Sequence, residues 1–206
     1  NRGITLLANG GTAATTTDPG GFPSGTDPAL LRYEGGCTLR PESNAVTLTV
    51  TCPITGAGTL IKKGEGRLVL GGANTYTGQT LVVTGALEPV SASALGTGPV
   101  LLKPAGRLLR RYPGVALPTG VALGSTLAFE PGSAVALEPE EGHAASGDFT
   151  VPLFTMPTGV AIDPAAVPVI HGLANYKAAV VASDAGGGRT LFSAKLVFQG
   201  TLMLLK

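Results

Sequence analysis

From Gly58 to Leu137 the chain is written in short runs that alternate apolar and polar positions. The runs are Gly58-Thr59-Leu60, Arg67-Leu68-Val69-Leu70, Thr80-Leu81-Val82-Val83, Gly85-Ala86-Leu87, Pro99-Val100-Leu101-Leu102 and Gly106-Arg107-Leu108-Leu109. Gly120-Val121-Ala122-Leu123, Ser125-Thr126-Leu127-Ala128-Phe129 and Ser133-Ala134-Val135-Ala136-Leu137 continue the series. A period of two residues is the strand period, so each run predicts a strand with one face inward and one outward. Each is too short to be stable alone. Nearly all are introduced by Gly or Pro, and Gly and Asn between them suit tight corners. Coiling the chain so that each strand lies parallel on the previous turn would stack Leu and Val into a continuous apolar column. The expected fold is therefore all-β, a right-handed parallel β-helix. The alternative is an antiparallel sandwich, against which stands the scarcity of Asn-Gly or Asp-Gly hairpin turns between the runs.

The flanks read differently. Asn1 to Ala8 contain the apolar segment ITLLA, which predicts an isolated strand, and residues 10–29 are small, polar and rich in Gly and Pro, which predicts a loop or linker. Toward the C-terminus, DFTVPLFTM, KAAVVASDAGGGRTLFSAKLVF and GTLMLLK predict longer strands, with a turn at Asp184 to Gly188. They suit antiparallel hairpins that close the last coil, since a solenoid needs its core end covered. The expected organisation is an N-terminal strand and linker over 1–36, a repeat region over 37–142 and a β cap over 143–206.

Composition supports strands over helices. The 206 residues include Gly 31 and Pro 16 with only 13% charged residues, so the charged faces of solvated helices are missing. Abundant Val, Leu and Thr argue against disorder. The opening NRGITLLANGG lacks the apolar core of a signal peptide, and no run of about 18 apolar residues predicts a membrane-spanning helix. The net charge of +1 supplies no field to steer nucleic acid. Arg107, Arg110 and Arg111 form the nearest thing to a basic patch, read as a solvated strand edge. Cys37 and Cys52 are too few for a zinc site. They are read as a disulfide closing a loop of about 15 residues, worth roughly 3 kcal/mol in the chain-entropy model, in an oxidising compartment. Buried free thiols are the alternative.

Gly58, Leu60, Lys62, Gly64, Gly66, Leu68, Leu70, Gly72, Asn74-Thr75-Tyr76-Thr77-Gly78, Thr80, Val82, Gly85 and Leu87, followed by Ala94-Leu95-Gly96, form one pattern. It resembles the autotransporter-associated β-strand repeat, G-x-L-x-K-x-G-x-G-x-L-x-L-x-G-x-N-T-Y-T-G-x-T-x-V-x-x-G-x-L followed by A-L-G-x-G. The resemblance covers about residues 56–109, and the segments from 110 to 139 look like a degenerate continuation. It implies a parallel β-helix in the passenger of a bacterial surface or secreted protein, where such repeats are scaffold and are linked to export. Asn74 is expected to satisfy backbone groups at a corner and Tyr76 to pack over it, with sugar stacking by Tyr76 as the weaker alternative.

Parallel β-helices also house polysaccharide-active enzymes, which need two facing carboxyl groups. Glu130, Glu138, Glu140, Glu141, Asp148, Asp163 and Asp184 are the candidates, and Glu138-Pro139-Glu140-Glu141 reads as a solvated turn. His171-Gly172 matches one element of polygalacturonases, but the companion acidic and basic elements are missing. His171 is read as a strand-end residue and His143 as exposed. Neither has a second ligand near in sequence, and no phosphate loop or nucleophile elbow is present. No catalytic residue, metal site or cofactor is therefore expected. The leading reading is a non-catalytic extracellular structural or adhesive module, with glycan or a surface protein as possible partner. A self-assembling filament subunit, joined end to end by β-strand pairing through a donated ITLLA strand, is the second, and a polysaccharide-active enzyme the third.

Overall fold

The computed structural model describes residues 3–7, 30–34, 37–39, 46–112, 120–160 and 162–200. These contain sixteen strands and one short 3₁₀ turn, Pro164–Ala166. The chain enters through β1 (Gly3–Leu7), β2 (Leu30–Glu34), β3 (Cys37–Leu39), β4 (Thr47–Val50), β5 (Ile54–Gly56), β6 (Leu60–Lys62) and β7 (Arg67–Leu70). It continues through β8 (Thr80–Pro89), β9 (Val100–Tyr112), β10 (Val121–Ala122), β11 (Leu127–Phe129) and β12 (Ala134–Pro139). It ends in β13 (Phe149–Pro157), β14 (Val169–His171), β15 (Tyr176–Gly186) and β16 (Arg189–Phe198).

Successive strands fall on three walls in turn. Wall 1 stacks β3, β6, the first half of β8, the first half of β9 and β11, all parallel. Wall 2 stacks β4, β7, the second halves of β8 and β9, β12 and β14, again parallel. Wall 3 carries β1, β2 and β5 at one end and β10 and β13 at the other. Between them residues 74–77 and 93–97 continue the stack, with Thr75 N–H donating to Ile54 O, Thr77 N–H to Gly56 O and Thr97 N–H to Tyr76 O. This is the parallel solenoid expected, and the antiparallel sandwich is not formed.

Register explains the stability. On wall 2, Leu48, Leu68, Leu87, Leu108, Val135 and Val169 stand in one column. On wall 1, Leu39, Lys62, Val82, Leu102 and Phe129 stand in another. Leu68, Leu87, Leu108 and Val135 have no exposed surface. Each such aliphatic burial contributes roughly 1.5–3 kcal/mol, and each column serves every coil it passes through. The sequence repeats because the structural demand repeats.

The cap joins the stack without a break. β13 pairs parallel with β10 on wall 3, and antiparallel pairing starts only where β16 returns along β13. β15 and β16 form a hairpin whose turn falls at Gly187 and Gly188, within the predicted span. Arg189 ties the hairpin to the coils, donating to Leu123 O (2.7 Å), Thr155 O (2.8 Å) and Thr155 Oγ1 (3.1 Å). Residues 10–29 and the final GTLMLLK beyond Gly200 lie outside the described residues. The ITLLA segment is not an isolated strand: β1 pairs with both β2 and β5.

Candidate functional site

The repeat residues turn inward and hold the corners. Lys62 shares the parity of Leu60 and has no exposed surface. Its ammonium donates to Gly64 O (2.6 Å), Thr84 O (2.8 Å) and Lys63 O (3.1 Å) at the corner between walls 1 and 2. It thereby gives a donor to three backbone carbonyls where the chain passes from wall 1 to wall 2. Burial pulls its pKa down to about 8, with Glu65 opposing the shift. Gly85 lies over this cage with φ +70, and a Cβ there would come within 2.4 Å of Gly64 O and 2.7 Å of Nζ.

Asn74 bridges adjoining coils. Its Oδ1 accepts from Ile54 N–H (2.8 Å) and its Nδ2 donates to Ala94 O (2.6 Å). Each is a buried backbone group whose loss of a partner costs about 1–3 kcal/mol. The expected corner role of Asn74 is what the geometry shows. Tyr76 lies beside the entry to β8. Its ring is fully buried, and its hydroxyl is 2.6 Å from Thr80 Oγ1. Burial drives the phenol pKa upward, with the Thr80 hydrogen bond opposing. Sugar stacking by Tyr76 is thereby excluded in the folded chain.

The arginines also depart from expectation. Arg110 is not solvated: it is 4% exposed and reaches from wall 2 to wall 3, donating to Pro89 O (3.2 Å) and Pro152 O (3.2 and 3.3 Å). Burial lowers its pKa to about 10, against the fields of Glu88 and Glu140. Arg107 donates to Gly132 O (2.6 Å) and Pro104 O (3.1 Å). Arg111 donates through Nε to Glu88 (2.6 Å), and Arg67 pairs with both Glu88 (3.5 Å) and Glu138 (2.5 Å). Glu138 is thus the end of a charged ladder along the outside of wall 2, not merely a solvated turn residue.

Four of the other candidate carboxylates are each engaged separately. Glu130 pairs with Lys103, Asp163 caps the 3₁₀ turn at Ala165 N–H, Asp184 accepts from Gly186 N–H, and Asp148 accepts from Phe198 N–H. Each of these four holds a backbone N–H or a lysine, Asp148 reaching one fifty residues away, and no two of the four are brought together by these bonds. His143 is half-buried against the Tyr112 ring, centroids 5.9 Å apart, instead of exposed. His171 ends β14, as expected, and its Nδ1 is buried without a partner. Among the described residues no group of His, Cys, Asp and Glu suits a metal ion. A shallow depression of about 460 Å³ at the hairpin tip is lined by Asp184, Gly186, Gly187 and Gly188, and one of about 290 Å³ lies between the 3₁₀ turn and β15. Cys52 is a half-buried free thiol, and the Cys37 side chain lies outside what is described.

Comparison with known proteins agrees with the repeat. The family model of the passenger-associated-transport-repeat matches residues 60–88, the segment from β6 to the end of β8 that contains Lys62, Asn74 and Tyr76. The "Adhesin BmaC autotransporter" of Brucella suis biovar 1 (strain 1330) is 33% identical over 128 residues. That alignment takes in 60% of this chain but only 4% of the much longer adhesin. No solved structure gives a match. Among the described residues no helix is long and apolar enough to cross a membrane.

Proposed function

We propose that this chain, which carries a passenger-associated-transport-repeat, is a stretch of the exported passenger of an adhesin-type autotransporter. It serves there as a non-catalytic scaffold that carries binding surface outside the bacterial cell. The observation that carries this reading is the direction of the repeat. Lys62, Asn74 and the Leu columns join coil to coil, and Tyr76 is buried against Thr80 of its own coil. Glu88, Glu130, Asp148, Asp163 and Asp184 bind backbone or basic side chains. Such a build gives length and rigidity, and leaves the outer walls and connecting segments to meet a partner. The likeness to an adhesin points to glycan or a surface protein as that partner.

The test is display of the chain on a non-adherent bacterium, fused to an outer-membrane barrel, with attachment to host cells and to immobilised glycans measured. Saturable attachment several-fold above the barrel alone, abolished by surface proteolysis, is expected. Efficient display without attachment would sink the adhesive part. Release of reducing ends from any polysaccharide tested would sink the non-catalytic part.

A further inference from the structure

On walls 1 and 2 the strands stack in chain order, β3 directly on β6 and β4 directly on β7. On wall 3 they do not. β2 and β5 belong to adjoining coils, yet β1 lies between them, giving the order β2-β1-β5. β1 is parallel to both, with Ile4 opposite Leu31 on one side and Ile54 on the other. The coil that adds one strand spacing to walls 1 and 2 therefore adds two to wall 3, each roughly 4.8 Å. β1 is a wedge inserted out of sequence.

A strand in that place is bonded along both edges. Removing it strips partners from facing rows of N–H and C=O on β2 and β5, so the slot favours a parallel strand of matching length. The tether between Leu7 and Leu30 is long and made largely of Gly, Pro, Ser and Thr. A tether of about 22 residues spans up to roughly 70 Å when extended, far more than the step from β1 to its neighbour needs. The contacts that seat β1 in its own slot are the same contacts it would make in the slot of an identical molecule. Exchange of such an element between copies costs little.

We propose that the gap between β2 and β5 is a strand-acceptor site whose occupant is exchangeable, and that the partner is β1 of a second copy of this chain. The foreign strand enters parallel, in the register that sets Ile4 against Leu31 and Ile54, and reciprocal exchange yields a closed dimer. This does not depend on the adhesive reading.

The experiment uses the full chain with T5C and T55C, which face each other in the β1–β5 register, in a C37S/C52S background. Two versions with tags of different size are unfolded together, refolded over a range of concentrations, and oxidised. The expected result is a link within one chain at high dilution, and a covalent dimer carrying both tags whose fraction rises with concentration. A second measurement does not require that variant to fold. A synthetic Asn1–Asn9 peptide carrying T5C is offered to the full chain carrying T55C, C37S and C52S, with T75C in place of T55C as control. Uptake at position 55 and not at 75 is expected. A link that stays within one chain at every concentration, together with no peptide uptake at 55, would overturn the proposal.

Discussion

Lys62 occupies a place in a column that is otherwise Leu39, Val82, Leu102 and Phe129. A charge there is tolerated because carbonyls of Lys63, Gly64 and Thr84 surround it, but burial still lowers its pKa from 10.5 to about 8. The unfolded chain therefore binds more protons than the folded chain between pH 8 and 10.5, and stability rises with pH across that window. Below pH 8 both states carry the proton and the destabilisation is fully present. Tyr76 acts in the opposite sense above its ordinary value of 10.0, because the unfolded phenol ionises first. Arg110 adds a further gain only above pH 10. The clean interval is pH 8 to 9.5, where urea unfolding should show a gain of about 1–2 kcal/mol. K62M should flatten that slope. A flat profile in the parent chain would mean that the carbonyl cage fully compensates the lost hydration. The inward place of Lys62 was legible in principle, since Leu60 and Lys62 share parity, as Leu108, Arg110 and Tyr112 do. Charge argues for the opposite face. Parity wins here because turn carbonyls and Pro89 and Pro152 oxygens wait inside to receive the donors.

Between elements the limiting quantity is the closeness of coils at the corners. A Cβ on Gly78 would sit 2.1 Å from Gly58 O, and one on Gly98 would sit 2.0 Å from Gly78 O. These glycines form a column at the entry to wall 1, where each coil begins its next ladder. G98A should separate the two coils at that corner and cost about 2 kcal/mol, in the range of core overpacking. G172A, where nothing lies within 4 Å, should stay within about 0.5 kcal/mol of the parent. Equal midpoints for the two variants in denaturant would show that the corner can relax. At this scale the sequence was readable wherever alternation and glycine coincide, which covers β6 to β12 and the β15–β16 hairpin. It was not readable where one strand bends through a corner without losing its partners. β8 joins two predicted runs, Thr80–Val83 and Gly85–Leu87, into Thr80–Pro89. Nor could alternation reveal that β1 enters wall 3 out of order, because periodicity fixes the face of a strand and says nothing about its neighbour.

Among the described residues one buried core runs through the stacked coils into the antiparallel pairing of β13, β16 and β15. In a stack, stability is a sum of coil terms and nearest-neighbour terms, so damage spreads to adjoining coils first. Leu87 lies in the middle of the wall 2 column, between Leu68 and Leu108, with no exposed surface. Leu196 is equally buried but belongs to the hairpin, paired with Phe149 and Ala178. Either residue cut to Ala costs about 2–5 kcal/mol locally. The distribution of that loss should differ. L87A opens the column on both sides and should speed amide exchange in β6, β7, β9 and β12 together. L196A should speed exchange in β13, β15 and β16 and leave β6 to β8 at parent rates, because the C-terminal strands meet the stack through the β10–β13 and β12–β14 ladders and the Arg189 bonds, away from β6 to β8. Hydrogen exchange read by mass spectrometry separates these peptides. If L196A also loosened β6 to β8, the cap and the coils would form a single cooperative unit, and the stack would not be divisible into neighbour terms. If the two losses stay apart, the repeat region holds itself up, which is what a scaffold must do when the surface it carries varies from coil to coil.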